Sequence, residues 1–241
     1  MAWAGLTPLT QTLDTLRGGV MEKALIIGSS GGIGMALTQA LTARGVAVTG
    51  LSRSGNGLDV TDEASVEKAL GTLDGPFDLI FVATGALEIK GAEPEKTLRH
   101  VTANAMIDQF KLNTVGPSLL LKHALRLLPR KGRSVFAALS ARVGSIGDNN
   151  LGGWYSYRTS KAALNQMLHG AAIELGRTHK DLICVALHPG TVETAFTEKY
   201  AANHPTVPAP EAADNLLSVL DGLTPDDTGR FFDWQGKEVP W

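Results

Sequence analysis

The stretch "KALIIGSSGGIGMALTQALTARG", residues 23–45, decides the fold class of this chain. It begins with an apolar run that ends at Gly28, which is typical of a buried strand, and its second half has helical spacing up to Gly45. Gly32 and Gly34 complete a G-x-x-x-G-x-G turn between the two segments. Glycine lets the backbone approach a pyrophosphate, and the start of a helix supplies amide donors. Glycine spacing alone is weak, but the strand–turn–helix context predicts a nucleotide-binding turn.

The same alternation continues along the chain. Further strands are predicted at 46–52, 77–83, 133–140, 181–188 and 229–234, and further helices at 63–73, 102–128, 157–177 and 209–222. Strands that alternate with helices pair in parallel through helical crossovers, and near-continuous apolar strands are buried on both faces. The sequence therefore predicts an α/β protein with a single Rossmann-type, doubly wound parallel sheet and helices on both faces.

Composition narrows the function classes. The 241 residues suit one domain, 44% are hydrophobic, 19% are charged, and the formal net charge is −2. Because there is no long basic run and no apolar run of membrane-spanning length, we expect neither a nucleic-acid partner nor a membrane partner. Cys184, the single cysteine, lies in the apolar run "LICVAL" and is expected to be a buried, inert thiol. The six histidines lack metal-ligand spacing, so we expect no metal site. We also expect the protein to be cytoplasmic.

Two segments lack the regular pattern. Residues 1–20 have neither the charged start nor the apolar stretch of a secretory signal, and they are predicted to be a loosely attached, disordered extension before a domain at 21–241. Only Arg17 is basic there, which disfavours an organelle-targeting peptide. Residues 195–210, "AFTEKYAANHPTVPAP", are predicted to form a mobile substrate lid.

The end of the second predicted strand indicates the cofactor. In a dinucleotide fold this position faces the adenosine ribose, where an acidic residue would repel a 2′-phosphate. Ser52 and Arg53 stand there instead, and an arginine fork suits a phosphate dianion. This favours NADP(H) over NAD(H), unless Arg53 is an ordinary solvated charge. Asp59, in "LDVTD", has two interpretations, as an acceptor for the adenine amine or as a residue that shapes a turn.

One of two neighbouring tyrosines stands out by its spacing. Tyr157 and Lys161 are four residues apart at the start of a predicted helix, so they share one face. An ammonium beside a phenol favours the phenolate and lowers the pKa of the tyrosine. Tyr155 has Thr159 at the same spacing, which cannot do this. Alone, such a pair is typical of a helix surface, but Ser140 at the end of a neighbouring strand and the glycine turn favour chemistry at Tyr157.

Together these motifs resemble the short-chain dehydrogenase/reductase family over nearly everything from residue 21 onward. The matching stretches are "GSSGGIG" (28–34), "LDV" (58–60), "LNTVGP" (112–117), "LSARVG" (139–144), "YRTSK" (157–161) and "HPGTVET" (188–194). The block at 140–165 and the C-terminal "GRFFDWQGKEVPW" are similar to the branch that includes C-factor-like and sniffer-like carbonyl reductases.

The resemblance implies roles for the matching residues. Tyr157 would protonate a carbonyl oxygen, Lys161 would lower the pKa of Tyr157 and bind the nicotinamide ribose, and Ser140 would donate to the substrate oxygen. Asn113 would complete a proton relay through water, since Pro117 has no N–H to pair with its carbonyl. The implied cofactor-binding residues are Gly28, Ser30, Gly32, Ile33, Gly34, Ser52, Arg53, Asp59, Val60, Ala83, Thr84, Gly85, Tyr157, Lys161, Pro189, Gly190, Val192 and Thr194. The implied substrate-binding residues are Ser140, Trp154, Tyr157 and Phe196.

Some positions depart from the family pattern. Gly31 stands where a basic or polar residue is usual, and Ala83 where an asparagine is common. Ser145 rivals Ser140 because it is closer in sequence to the tyrosine, but Ser140 is preferred because it ends an apolar strand that would hold it firmly. His188 is interpreted as a structural residue at a strand end.

The resemblance implies reversible hydride transfer between NADP(H) and a small carbonyl or alcohol substrate, in a homodimer or homotetramer. The aromatic side chains of Trp154 and Phe196 favour an apolar substrate pocket. The alternative is a non-catalytic, nucleotide-bound regulator or signalling protein on the same fold. A pure regulator needs no general acid, so the set of Asn113, Ser140, Tyr157 and Lys161 disfavours that alternative.

Overall fold

Six parallel strands form the central sheet of this computed structural model, which describes residues 21–194, 197, 199 and 206–241. Together with two strands outside this sheet, the described residues form β1 (Lys23–Ile27), β2 (Ala47–Leu51), β3 (Leu79–Val82), β4 (Ser134–Leu139), β5 (Leu182–His188), β6 (Val192–Glu193), β7 (Val207–Pro208) and β8 (Phe231–Asp233). The sheet order is β2-β1-β3-β4-β5-β8, and β6 pairs with β7 in a separate parallel ribbon. The predicted Rossmann-type sheet is confirmed.

Helices cover both faces of this sheet, as predicted. They are α1 (Gly32–Ala43), α2 (Arg53–Asn56), α3 (Glu63–Gly71), α4 (Ala103–Phe110), α5 (Gly116–Ala124), α6 (Tyr155–Leu175) and α7 (Ala209–Gly222). One core layer joins the sheet to α3, α5 and α6, and the other joins it to α1 and α7. Successive residues of β1 enter opposite layers, with Leu25 in the first and Ile26 in the second. This two-sided burial explains why the strand is apolar throughout.

The predicted helix at 102–128 is helical from Ala103 to Leu127, but it is not a regular α-helix throughout. Thr102 caps its start, since its hydroxyl accepts from the backbone N–H of Ala105 at 3.2 Å. After α4, however, the chain widens into a π-helical turn at Lys111–Val115 before α5 begins. Pro117, in the first turn of α5, has no N–H to donate to a preceding carbonyl, which disfavours regular α-helical bonding there. The π turn carries Asn113, so the deviation lies at a candidate site residue.

Several element boundaries differ from the prediction. α6 begins at Tyr155, two residues earlier than expected, and the short helix α2 had no sequence signal. The predicted extension at 1–20 and residues 195, 196, 198 and 200–205 of the predicted lid, including Phe196, lie outside the described residues. The last residues of the predicted lid are regular, since β7 and the first turn of α7 lie there. None of the helices in the described ranges is long and apolar enough to cross a bilayer.

Candidate active site

The candidate site lies along one edge of the sheet, where loops leave the carboxyl ends of the strands. Five predicted site residues each come directly after the last residue of a strand: Gly28, Ser52, Ala83, Ser140 and Pro189. Two neighbouring cavities of about 690 Å³ and about 310 Å³ lie along this edge. They share the lining residues Gly31, Ala83, Thr84 and Gly85. The strand order reverses between β1 and β3 at this point, which is where α/β sheets of this type bind ligands.

The glycine turn is shaped by close backbone contacts. Gly28 has a φ of +90°, and a Cβ there would lie 2.9 Å from the backbone carbonyl of Ala83. A Cβ at Gly34 would lie 2.1 Å from the carbonyl oxygen of Gly28. Gly34 therefore lets α1 pack against the turn, and it lines neither cavity. Its expected role as a direct cofactor contact stays a prediction.

The larger cavity collects the residues predicted for the adenosine half. Gly28, Ser30, Ser52, Arg53, Asp59 and Val60 line it, together with the shared Ala83, Thr84 and Gly85. Arg53 is exposed at the start of α2, and the hydroxyl of Ser52 caps that helix by accepting from Gly55 N–H at 3.0 Å. Asp59 Oδ1 accepts from the amide and the hydroxyl of Thr61, at 2.9 Å and 2.7 Å. These bonds, with a smaller effect of Arg53, lower the pKa of Asp59 and match its interpretation as a turn-shaping residue.

The smaller cavity collects the residues predicted for the nicotinamide half and for catalysis. Gly32, Ile33, Ser140, Tyr157, Lys161, Pro189, Gly190, Val192 and Thr194 line it. Lys161 is 3% exposed, and its Nζ donates to the carbonyl oxygen of Leu139 at 2.8 Å. The same Nζ lies 5.9 Å from the ring centre of Tyr157. The i, i+4 spacing thus brings both side chains of α6 to the end of β4, as the sequence predicts.

Burial controls the pKa of both residues. It raises the pKa of the Tyr157 hydroxyl and lowers the pKa of Lys161 to about 7. In the cofactor-free protein the net shift of the Tyr157 pKa is therefore upward, and the expected lowering of that pKa by Lys161 stays a prediction. The helix spacing is right, but both groups are enclosed by protein, which penalises the phenolate and the ammonium alike.

Asn113 is fully buried and uses its side chain to bind the loop after β3. Its Oδ1 accepts from Ala86 N–H at 3.0 Å, and its Nδ2 donates to the carbonyl oxygen of Ala86 at 3.0 Å and to Gln109 Oε1 at 2.5 Å. Gln109 donates in turn to the carbonyl oxygen of Leu87 at 2.8 Å. The side chain therefore fixes the wall of the cleft, and the expected water relay through Asn113 stays a prediction.

The two rival serines have different surroundings. Ser140 lines the smaller cavity, and its backbone N–H donates to the carbonyl oxygen of Leu187 at 2.8 Å. Ser145 is buried away from both cavities, where its hydroxyl donates to the carbonyl oxygen of Pro240 at 2.5 Å and accepts from Asp148 N–H at 3.1 Å. Ser145 holds the C-terminal segment in place, and this favours Ser140 as the serine that contacts substrate.

Sequence reasoning missed Glu95, which organises the start of α6. Its carboxylate accepts from the backbone N–H of Ser156 at 3.1 Å and from the Ser156 hydroxyl, and its carbonyl oxygen accepts from Trp154 N–H at 2.6 Å. A carboxylate at a helix N-terminus is favoured by the helix dipole. The signal was indirect: "GGWYSY" offers no side-chain cap before the helix, so acceptors had to come from elsewhere.

Trp154 stands next to the catalytic candidate rather than in the cavity wall. Its backbone is in the left-handed region with φ +51°, and its ring meets Tyr157 edge-on at 6.4 Å between centres. It lines neither cavity, so its contact with substrate stays a prediction. His188, interpreted as structural, does line the smaller cavity. Burial lowers the pKa of His188 to about 4, with a smaller effect of Arg142, so the ring is neutral at pH 7.

Among the described residues, the remaining cysteine and the possible metal ligands form no second candidate site. Cys184 is buried, and burial raises the pKa of its thiol to about 12, in line with the expected inert role. In the described ranges, no three His, Cys, Asp or Glu side chains cluster as metal ligands.

The chain is similar to known proteins in both sequence and structure. The family model for short chain dehydrogenase matches residues 22–205. The chain is 31% identical over 239 residues to 1-hydroxy-2-glutathionyl-2-methyl-3-butene dehydrogenase of Rhodococcus sp. (strain AD45), covering 92% of this chain and 100% of that protein. It is 39% identical over 136 residues to C-signal of Myxococcus xanthus, and this match covers 56% of this chain and 78% of that protein. A short-chain dehydrogenase/reductase from Burkholderia multivorans, solved with bound NADP, superimposes with a TM-score of 0.78 at 26% identity, covering 92% and 100%.

Proposed function

We propose that this chain, which belongs to the short-chain dehydrogenase/reductase family, is an NADP(H)-dependent oxidoreductase acting on a carbonyl or alcohol substrate. The observation that carries this proposal is the meeting of Ser140, Tyr157 and Lys161 on the wall of the smaller cavity. Because the two cavities share lining residues at the glycine turn and the loop after β3, a dinucleotide lying along both would end beside Tyr157.

The described residues fit such a cofactor. Thr84 Oγ1 is buried at the junction of the two cavities and has no hydrogen-bond partner among the described residues. The turn at Gly28 has no side chain in the way of a pyrophosphate, and α1 begins just beyond it. Arg53 and Ser52 would hold the 2′-phosphate, and Lys111 adds a second positive charge to the larger cavity. When bound, the nicotinamide supplies the hydride for reduction or accepts it for oxidation.

The chain's own groups would handle the proton and the developing charge. Tyr157 Oη would give its proton to the carbonyl oxygen, and Ser140 Oγ–H would donate a hydrogen bond to the same atom. Because burial raises the pKa of Tyr157, its hydroxyl stays protonated at neutral pH, as an acid for reduction must be. Lys161 Nζ would bind the nicotinamide ribose and, when charged, stabilise the phenolate that remains. The carbonyl of Asn113 would hold the water that returns a proton from solvent.

The smaller cavity favours a modest, largely apolar substrate. Leu139, Ala141 and Val192 line it beside Ser140, and its volume is about 310 Å³ before a nicotinamide takes its share. The Rhodococcus relative is named for an alcohol that carries a glutathionyl group. A test panel therefore includes small aliphatic and aromatic aldehydes and ketones, and one alcohol with a bulky thioether.

A regulator that binds nucleotide without turning it over is the second candidate. The relative named C-signal, at 39% identity over 136 residues, is the observation that favours it. The buried Tyr157–Lys161 pair argues against it, because a protein that only binds nucleotide needs no general acid beside the nicotinamide. Cytoplasmic location and assembly as a homodimer or homotetramer remain predictions in either case.

The two functions are separated by NADPH oxidation against the carbonyl panel. We expect turnover by the wild type and a loss of at least about 10²-fold in kcat for Tyr157→Phe. Tyr155→Phe is the matched control: it removes the neighbouring hydroxyl from the same helical turn and should keep kcat within a few fold. NADPH binding, followed by fluorescence, should persist in both variants. Binding without turnover of any substrate would favour the regulator.

A further inference from the structure

Asn165 is a buried amide on α6, one turn beyond Lys161. It is 2% exposed and lines neither cavity, yet its Oδ1 lies 2.6 Å from the hydroxyl oxygen of Ser140. Its Nδ2 has no hydrogen-bond partner among the described residues. A polar side chain enclosed in the core normally has all its groups paired, so this contact with Ser140 is the main polar interaction that accounts for an amide here.

The direction of that hydrogen bond matters for chemistry. Serine has one hydroxyl hydrogen. If Ser140 donates to Asn165 Oδ1, the hydrogen is used inside the protein, and Ser140 can only accept from a ligand. A carbonyl oxygen carries no hydrogen, so it would find no donor in Ser140. This arrangement would oppose the reduction proposed above.

The opposite orientation of the amide removes the conflict. Amide oxygen and nitrogen have nearly the same shape, so the heavy atoms accommodate either placement. With Nδ2 facing Ser140, Asn165 donates to Ser140 Oγ, and the hydroxyl hydrogen becomes free for a ligand. The exchange also replaces a buried unpaired N–H by a buried unpaired carbonyl, which proteins tolerate better.

We propose that Asn165 is a positioning residue for carbonyl reduction: its Nδ2 donates to Ser140 Oγ and thereby directs the Ser140 hydroxyl hydrogen into the cavity. The proposal rests on the proposed function. A hydroxyl that accepts one hydrogen bond is polarised and becomes a better donor in the next.

The surrounding geometry leaves this rotation as the main freedom to be fixed. Two successive turns of α6 bind the end of β4, through Lys161 Nζ to the carbonyl oxygen of Leu139 at 2.8 Å and through Asn165 to Ser140. The Ser140 backbone is held by its N–H bond to Leu187 at 2.8 Å. The hydroxyl rotor is thus the movable part of Ser140, and Asn165 is the group within reach to orient it.

Asn165→Asp tests the direction directly. An ionised carboxylate only accepts, so it would draw the Ser140 hydrogen away from substrate, and kcat at pH 8 should fall about 10²-fold, toward the value of Ser140→Ala. A protonated carboxyl can donate, so kcat of this variant should recover as the pH is lowered, whereas the wild type should show no such rise. The KM for NADPH should stay unchanged. A variant as active as wild type at pH 8 would overturn the proposal.

Asn165→Leu covers the case in which a buried carboxylate prevents folding. It keeps a similar volume and should lower kcat about tenfold by leaving the Ser140 hydroxyl free to rotate. In a Ser140→Ala background the same substitution should cause no further loss, because Asn165 acts through that hydroxyl. Losses that multiply in the double variant would contradict the proposal and indicate a purely structural amide.

A measurement without turnover separates this proposal from the proposed function. If the wild type oxidises no NADPH with any carbonyl, the function fails, and side-chain amide NMR still decides the hydrogen-bond direction. We expect one Asn165 Nδ2 proton to be shifted downfield in the wild type and to move upfield in Ser140→Ala. Two unbonded Nδ2 protons that are insensitive to Ser140→Ala would show that the hydroxyl donates to Oδ1, and the proposal would fall.

Discussion

Replacing Lys161 by methionine should stabilise the cofactor-free protein at neutral pH while it abolishes activity. Burial lowers the pKa of Lys161 from 10.5 to about 7. Between these values the unfolded chain holds a proton that the folded chain has released, so the wild type gains stability as the pH rises. The cost of burying this amine is therefore fully present below about pH 7 and disappears toward pH 10.5. Methionine is apolar, of similar length, and carries no such cost.

The size of the effect follows from the two pKa values. At pH 7 the cost is about 4 kcal/mol, and at pH 9 about 2 kcal/mol. Methionine also leaves the carbonyl oxygen of Leu139 without its donor, which offsets about 1–3 kcal/mol at either pH. The net gain for Lys161→Met is then about 1–3 kcal/mol at pH 7 and about 2 kcal/mol smaller at pH 9. The difference between the two pH values does not depend on the hydrogen-bond correction.

Urea denaturation of both proteins without cofactor, at pH 7 and pH 9, measures this difference. Lys68→Met is the matched control, because Lys68 is exposed on α3 and stays in water in both states, so its effect should not change with pH. A Lys161→Met variant whose stability relative to wild type is the same at both pH values would refute the reasoning. It would mean that the buried amine is charged in the folded protein or is hydrated there.

Two further changes address the cofactor and the rival serines. Arg53→Ala should raise the KM for NADPH about tenfold and leave the KM for NADH within a few fold, because an exposed arginine contributes little beyond its contact with the 2′-phosphate. Steady-state kinetics with each cofactor measures both values. Equal effects on the two cofactors would show that Arg53 does not bind the 2′-phosphate. Ser145→Ala should lower the free energy of unfolding by about 1–3 kcal/mol with kcat nearly unchanged, because it releases Pro240 and Asp148, whereas Ser140→Ala should lower kcat about 10²-fold. A larger kcat loss in Ser145→Ala than in Ser140→Ala would reverse the assignment of the two serines.

The fold was predictable because its signals are local. The glycine turn at 28–34 is followed at once by a helix, and the central strands β3, β4 and β5 are largely apolar because they are covered on both sides. The split of the helix at 102–128 had one local signal, Pro117, which indicates a lost hydrogen bond. Pro117 alone does not predict a π-helical turn, because the hydrogen bonds between Asn113 and Ala86 that accompany the turn join segments that are distant in sequence.

The site was predictable only where its geometry is set within one element. Tyr157 and Lys161 meet because α6 has a fixed period, and that period needs nothing else. Glu95 reaches the start of the same helix from a segment with no pattern of its own, so no sequence pattern pairs the two. The effect of burial on the pKa of Tyr157 had no signal in the sequence for a related reason. Spacing reports which charges are neighbours, but it does not report how much water surrounds them.

The amount of water around Tyr157 and Lys161 links the stability of this protein to its chemistry. At the end of β4, the carbonyl oxygen of Leu139 and the hydroxyl of Ser140 contact Lys161 and Asn165 of α6, whose side chains are buried there. Enclosure disfavours charge on Lys161, and it is the same enclosure that keeps water from competing for the Tyr157 proton. A cofactor with hydroxyl groups and negative charge would restore a partner for the ammonium. Cofactor binding should then raise the pKa of Lys161, so the lysine becomes an effective electrostatic partner of Tyr157 only when the hydride donor is in place.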